Sequence, residues 1–524
     1  MNFVSVTFLL FFVIVLILYF SIPKKWRWTI LLAASFVFYI WANYFFAIYL
    51  VVSILVTYFA AILIQKQNIS LEGFPREDKE KYLAYEKRCE LNKNLIVATA
   101  CVINIGILFV VKYLNATIGA IYSLFNIGEF KALNILLPLG LSFYTFQSLS
   151  YVIDVKRELI EPQKNIFKYA LFVAYFPQLL QGPIGRYNEL APQLYEGHKF
   201  EYENFFKGTQ RMLLGFFKKI AIADFVGLFV DGVFANPQNA KGIVGILGAI
   251  GYAIQLYADF SGFMDIALGA SKIMGINLQE NFDSPYLSKS IAEYWRRWHI
   301  TLGAFFRDYV YYPLLRTKLF RKLLVSKNKK LGKNIATVLS LLITWALIGI
   351  WHGANLTYLL HGLYYGIIIS VSMCLEPFYK KVDSKVNIPT KIKDVLRIFR
   401  TFVIVCFGYI LFRSTSITAF SQYISALFSG SGIYELLHFR EVFNVEFKLT
   451  IIYVIQIVAS LIAWCVYSHQ NKLAQKELFG AQKVVIWRKN MIFVSVVLIM
   501  VTVAAYILLN SIGGHTMGFI YYEF

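Results

Sequence analysis

The chain has 524 residues, of which 58% are hydrophobic and 17% aromatic, and its formal net charge is +21. Soluble domains carry about 45–50% apolar residues, so this composition excludes an ordinary soluble domain and indicates an all-α polytopic membrane protein. The charge does not indicate a nucleic-acid partner: the basic residues sit in short loops between apolar spans, and no basic-aromatic module stands apart from them.

A membrane-crossing helix needs about 20 apolar residues. Such stretches occupy 3–22, 28–45, 46–65, 95–114, 134–153, 208–232, 243–260, 335–353, 356–376, 399–413, 450–468 and 491–510. The first has no positively charged leader and no small-residue cleavage site, and is expected to be a span rather than a removed signal peptide. Stretches 166–183 and 262–276 are shorter and interrupted by Pro or Gly, and 286–315 is amphipathic and charged. These three are expected to be re-entrant, broken or interfacial, which is tolerated only where protein or a cavity surrounds the backbone. The spans run end to end, so 1–510 is expected to form one integral domain, with 511–524 as a tail.

Loops 66–94, 316–334, 377–398 and 469–490 are rich in Lys and Arg, whereas 115–133, 233–242 and 414–449 almost lack them. The two sets alternate along the chain, which assigns the basic set to the cytoplasm. The N-terminus and the C-terminal tail then face outside. Cys89, Cys101, Cys374, Cys406 and Cys465 are scattered without CxxC or metal-ligand spacing, so neither a disulfide framework nor a metal site is expected.

His352 follows the apolar run Leu341–Ile350 and is flanked by Trp351 and the small residues Gly353 and Ala354. An ionisable residue at membrane depth is a functional candidate by default. Its imidazole can take a proton from a hydroxyl and so sharpen a nucleophile; equally, it can be a hydrogen-bonding link between helices. His361, nine residues on, is expected to face elsewhere and to be structural.

His299 ends Tyr294-Trp-Arg-Arg-Trp-His299. Read as one helix, Trp295, Trp298 and His299 share a face while Arg296 and Arg297 point elsewhere. Such a helix is either an interfacial aromatic anchor with snorkelling arginines or the mouth of a cytoplasmic tunnel. In the second case the cations would hold donor phosphates or an acidic carrier protein. Asp259 and Asp265, beside Gly262, suit either a polar funnel or ion pairs with Arg296, Arg297 or Arg307. No Gly-rich phosphate loop, Gly-x-Ser-x-Gly elbow or HExxH is present. The terminal Phe519-Ile-Tyr-Tyr-Glu-Phe524 is apolar-aromatic yet too short to span. It is expected to fold back into the outer leaflet or a cavity, where anchoring by aromatic rings is the plainer role.

Eight segments resemble, in order and spacing, the membrane-bound O-acyltransferase (MBOAT) superfamily, in its bacterial alginate, peptidoglycan and teichoic-acid branch. They are Ala33–Tyr39, Pro138–Phe146, Tyr151–Lys156, Phe176–Ile184, Gln255–Gly262, Glu293–Ile300, Arg307–Tyr309 and Trp351–Ala354. The length and the Phe-Ile-Tyr-x-x-Phe tail are similar to the alginate and polysaccharide O-acetyltransferases. The resemblance implies the MBOAT fold, a ring of tilted helices around a thin central tunnel. It implies His352 as the catalytic histidine and His299 as a second site histidine near the cytoplasmic end. Trp295, Arg296, Arg297, Trp298, Asp259 and Asn355 become candidates for lining the tunnel or holding the donor.

The donor is expected to be acetyl-CoA or an acyl carrier thioester, with no resident cofactor or metal. Tyr521 matches an acyl-carrying tyrosine, with Tyr522 beside it. A polysaccharide would be acetylated outside the bacterial cytoplasmic membrane through a separate SGNH-type partner, since this chain shows no SGNH residues. The competing readings are D-alanyl transfer to teichoic acid and a non-enzymatic polysaccharide or lipid transporter. The latter predicts an internal repeat, which the sequence lacks.

Overall fold

A computed structural model describes residues 3–135, 138–325, 329–385, 388–444, 451–476 and 481–511. Tyr521, Tyr522 and the rest of the tail lie outside the described residues. All regular elements among the described residues are helices; the one pairing of extended backbone is an isolated antiparallel bridge between Phe282 and Trp298. Among the described residues, seven helices are long and apolar enough to cross a membrane: Phe46–Glu72, Lys79–Phe125, Gly242–Ile273, Lys330–His352, Leu356–Cys374, Thr390–Arg413 and Met491–Asn510. Val6–Ser21 and Val454–Tyr467 are shorter apolar helices. The protein is therefore an all-α, multi-pass membrane protein.

Contacts divide the chain into two compact units. The first comprises Met1–Gly208 and Ala267–Gln279. In it the basic stretch expected as loop 66–94 is mostly helical. Helix Phe46–Glu72 and the 47-residue helix Lys79–Phe125 are joined by a short turn, and Asp78 caps the second helix by accepting from Lys81 N at 3.1 Å. At 1.5 Å per residue the longer helix reaches about 70 Å, well beyond a hydrocarbon core of about 30 Å. Its charged first turns therefore extend out of the apolar layer. The interrupted stretch 166–183 is broken as expected, into Ile166–Ala174 and Phe176–Leu179, with Pro177 in the first turn of the second helix.

The second unit comprises Thr209–Ile266 and Glu280–Phe524. The expectation of a broken element at 262–276 is corrected: Gly242–Ile273, whose last residues from Ala267 on belong to the first unit, is one continuous 32-residue helix. Gly262 serves close packing rather than a break. A Cβ on it would come within 2.9 Å of the Gly215 carbonyl, and one on Gly215 within 2.5 Å of the Gly262 carbonyl. Small residues let two backbones approach in this way. The expected span 208–232 is instead interrupted: a π-helical turn, Lys218–Asp224, separates helix Tyr202–Phe217 from Phe225–Ala235. Such turns recur at functional sites. The stretch expected as outer loop 414–449 carries the short helices Ile417–Leu427, Ile433–Leu437 and Phe439–Phe443.

Helices Lys329–His352 and Leu356–Cys374 form a tight antiparallel hairpin. A side chain on Gly362 would collide with the Trp345 carbonyl, and one on Gly349 with the Tyr358 carbonyl. Gly362→Val is therefore expected to destabilise the protein by about 3 kcal/mol, the upper part of the ordinary overpacking range. A lowered unfolding temperature of the detergent-purified variant would register it. An unchanged temperature would mean that the hairpin can open without loss.

Candidate active site

His352 is the last residue of helix Lys329–His352, and the chain turns at Gly353–Asn355 before helix Leu356–Cys374 begins. The turn is held by Asn355. Its Oδ1 accepts from Thr357 N at 3.1 Å, and its Nδ2 donates to the Thr415 carbonyl at 2.7 Å. Asn355 thus caps the helix that follows the histidine. Gly353 admits the Tyr358 ring, which a Cβ would approach to 3.0 Å.

The His352 side chain is only 5% exposed. Its ring meets Trp351 at 4.6 Å, Phe412 at 4.9 Å and His361 at 6.5 Å between centroids. That last contact corrects the expectation for His361. Nine residues along one helix would turn it away, but the hairpin reverses the chain and brings it back beside His352. Phe412, at 4.8 Å from His361, packs against both imidazoles.

The single helix expected across 294–299 is also corrected. Helix Ile291–Arg297 ends before the histidine, Trp298 is extended, and His299 adopts φ 46° at the start of helix Ile300–Phe306. A left-handed residue with a side chain is uncommon. Here the surrounding pairing enforces it. Asp283 N donates to the Arg297 carbonyl, and Ile300 N to the Asn281 carbonyl, both at 3.0 Å. Asn281 Oδ1 then accepts from Thr301 N and Thr301 Oγ1, each at 3.0 Å, and lies 3.3 Å from His299 Nδ1. The His299 ring packs edge-on to Phe260 at 4.8 Å and touches Trp351 at 6.2 Å. Burial pushes its pKa down to about 3, so the ring is neutral across the physiological range. Trp351, in contact with both rings, links His299 to His352.

Trp295 joins the same aromatic body, with Trp345 at 4.7 Å, Tyr365 at 4.9 Å and His361 at 6.4 Å. Trp298 stacks on Tyr294 at 5.8 Å and meets Phe282 at 5.1 Å. The two arginines do not join the histidines: Arg296 is exposed, and Arg297 pairs with Glu293 at 2.8 Å.

Asp259 is fully buried, and its expected partners are corrected. Lys219 Nζ lies 2.7 Å from both Asp259 and Asp224. Asp265 takes Lys218 at 2.6 Å and Arg211 at 3.1 Å, while Arg307 pairs with its neighbour Asp308. Asp259 is thus the acidic partner of a buried cation. Sequence spacing brought out His352, His299 and the tryptophans. It gave no signal for Phe412, Phe260 or Asn281, which reach the site from other parts of the chain.

The arrangement is two buried imidazoles bridged by an indole, with a third imidazole alongside. It can move a proton at a site shielded from water. Residues 161–416, which contain all three histidines, match the model of the membrane-bound O-acyltransferase family. The chain is 33% identical over 436 residues to a probable alginate O-acetylase AlgI of Pseudomonas syringae pv. tomato, covering 82% of this chain and 75% of the relative. It is 28% identical to the peptidoglycan O-acetyltransferase of Helicobacter pylori, over 78% of this chain and 75% of that protein. It is 31% identical to the teichoic acid D-alanyltransferase of Bacillus subtilis, over 53% and 69% of the two chains. With this similarity, the site and the membrane helices, the chain belongs to the membrane-bound O-acyltransferase family and is an acyltransferase.

Proposed function

We propose that the chain moves an acetyl group from a cytoplasmic thioester towards the outer face of a bacterial cytoplasmic membrane, for O-acetylation of an extracellular or cell-wall polysaccharide. The observation that carries this reading is the burial of His352 at the turn between two membrane helices, within the region matching the acyltransferase family. The relatives named as alginate O-acetylase and peptidoglycan O-acetyltransferase support acetyl as the group and a polysaccharide as the final acceptor.

In this reading the donor is acetyl-CoA or an acylated carrier protein. His352 takes the proton from an acceptor hydroxyl as the oxygen attacks the thioester carbon. The carbon–sulfur bond then breaks, and the leaving thiolate recovers that proton from His352. Ester and thiol result, with no net proton change. His299, held neutral by burial, sits one indole away. A phenol, with a pKa near 10, is an easier first acceptor than a sugar hydroxyl. Tyr521 in the tail is assigned that role. A separate SGNH-type protein would then pass the acetyl group from Tyr521 to the polymer.

The test is the acetyl-ester content of the envelope polysaccharide in cells expressing wild type or Tyr521→Phe at equal levels. Tyr521→Phe is expected to abolish it, and mass spectrometry of the wild-type C-terminal peptide to show an added 42 Da, the mass of an acetyl group (about 43) less the hydrogen (about 1) it replaces. Full acetylation by Tyr521→Phe together with an unmodified peptide would remove the relay. Unchanged acetylation by His352→Ala would remove the acyl-transfer reading itself.

A further inference from the structure

One stripe of helix Leu356–Cys374 has no place in the mechanism above. Thr357, His361 and Tyr365 follow one another at four-residue intervals and so lie on one face of the helix. They are 0%, 3% and 0% exposed. That face looks onto the aromatic body around the catalytic histidine: His361 meets His352, Phe412 and Trp295, and Tyr365 meets Trp295.

Buried polar atoms in proteins are nearly always hydrogen-bonded, and an exception calls for an explanation. Here three occur together. His361 Nε2, Thr357 Oγ1 and Trp295 Nε1 are all buried and find no hydrogen-bond partner among the described residues. Each can donate: an indole N–H donates only, a hydroxyl donates or accepts, and a neutral imidazole donates from whichever nitrogen carries the proton. Leaving such donors buried and unsatisfied costs about 1–3 kcal/mol each. Aromatic packing alone would be served as well by Leu or Phe at position 361.

The chemistry proposed for His352 supplies a partner. When the acceptor oxygen attacks the thioester carbon, the carbonyl π pair moves onto its oxygen. The resulting oxyanion needs donors that are already in place and shielded from water. We infer that His361 is a catalytic residue of this site, donating its Nε2–H to that oxyanion, with Thr357 and Trp295 as auxiliary donors. The inference rests on the acyl-transfer reading of His352. His361 transfers no proton. It holds the oxygen's negative charge until the carbon–sulfur bond breaks and the charge leaves on sulfur, which His352 protonates.

The test is thiol release from acetyl-CoA by inside-out membrane vesicles carrying the full chain, with wild type, His352→Ala, His361→Phe, His361→Gln and Thr357→Val compared at equal expression. Removing one such donor lowers kcat by about 10²–10³-fold. His361→Phe should show that loss with KM for acetyl-CoA unchanged, because the oxyanion exists only after binding. His361→Gln, which restores an N–H donor, should recover at least tenfold of it. Thr357→Val should fall in the same direction by a smaller factor, and none of the three should move the pH profile set by His352. A kcat for His361→Phe within threefold of wild type, beside inactive His352→Ala, would overturn the role of His361 alone. So would a His361→Gln variant no faster than His361→Phe at equal unfolding temperatures. Should His361→Phe fail to fold, His361→Leu, which also lacks a donor, takes its place, and a kcat for it within threefold of wild type would overturn the role equally. Equal thiol release by wild type and His352→Ala would overturn the acyl-transfer reading on which it stands.

Discussion

Replacing His352 by alanine is expected to lower acyl transfer by about 10²–10⁴-fold, the range supplied by a positioned general base. The protein should still reach the membrane folded. The ring sits at a helix end, and its neighbours Trp351 and Phe412 keep their other contacts: Trp351 with His299, and Phe412 with Tyr358 at 5.0 Å and His361. His352→Gln separates chemistry from packing. It keeps roughly the volume and a polar head, but it takes no proton at neutral pH. If His352 is the base, both variants lose kcat alike while KM for the donor stays near wild type, since the base acts after the donor has bound. If the ring were only a packing element, glutamine would restore most of the rate. The measurement is thiol release from acetyl-CoA in membrane vesicles, with expression and unfolding temperature checked for each variant.

Much of the architecture is legible in the sequence, because a bilayer imposes one rule on every span and hydropathy reports it directly. The helices from Phe46, Gly242 and Leu356 begin within one residue of an expected apolar stretch, whereas those from Lys330 and Thr390 begin five and nine residues before one. What was not legible has a common cause: hydropathy describes the chain along itself and carries no information about what crosses it. Gly262 reads as an interruption in one dimension, yet it is a packing surface for Gly215 in three. Nine residues along one helix turn His361 away from His352, but the chain reverses at Gly353–Asn355. The break at Trp298–His299 arises from pairing with 281–283, a segment of no hydrophobic signature. The two histidines stand out as candidates by their tryptophan neighbours, and their roles come from the resemblance to the acyltransferase family. Their packing partners, Phe260 and Phe412, are two among 47 phenylalanines and carried no mark.

The buried cation Lys219 is the second place where one substitution is expected to have a large effect. Lys218 and Lys219 are consecutive, yet they reach Asp265 and Asp259, which lie six residues apart on helix Gly242–Ile273, about 9 Å along its axis. The π-helical turn Lys218–Asp224 places these two lysines, and it also carries Asp224, the other carboxylate on Lys219. Lys219, Asp259 and Asp224 are 1%, 0% and 2% exposed. Lys219→Met removes the positive charge that two buried carboxylates share. Breaking a buried pair from one side costs about 3–5 kcal/mol, so this variant is expected to lose most of its folded yield in detergent. Asp224→Asn should be milder, since Asp259 still faces the ammonium and Asn keeps the shape. The decisive variant is the triple change Lys219→Met, Asp259→Asn, Asp224→Asn, which leaves no charge in the cluster. Replacing a whole buried ionic group by hydrophobic residues of similar size is often close to neutral in stability, and the amides here likewise leave no unpaired buried charge. The triple variant should therefore unfold at a higher temperature than Lys219→Met alone. If it is no more stable, the lysine matters through its packing within the π turn rather than through its charge, and the electrostatic account of the cluster fails.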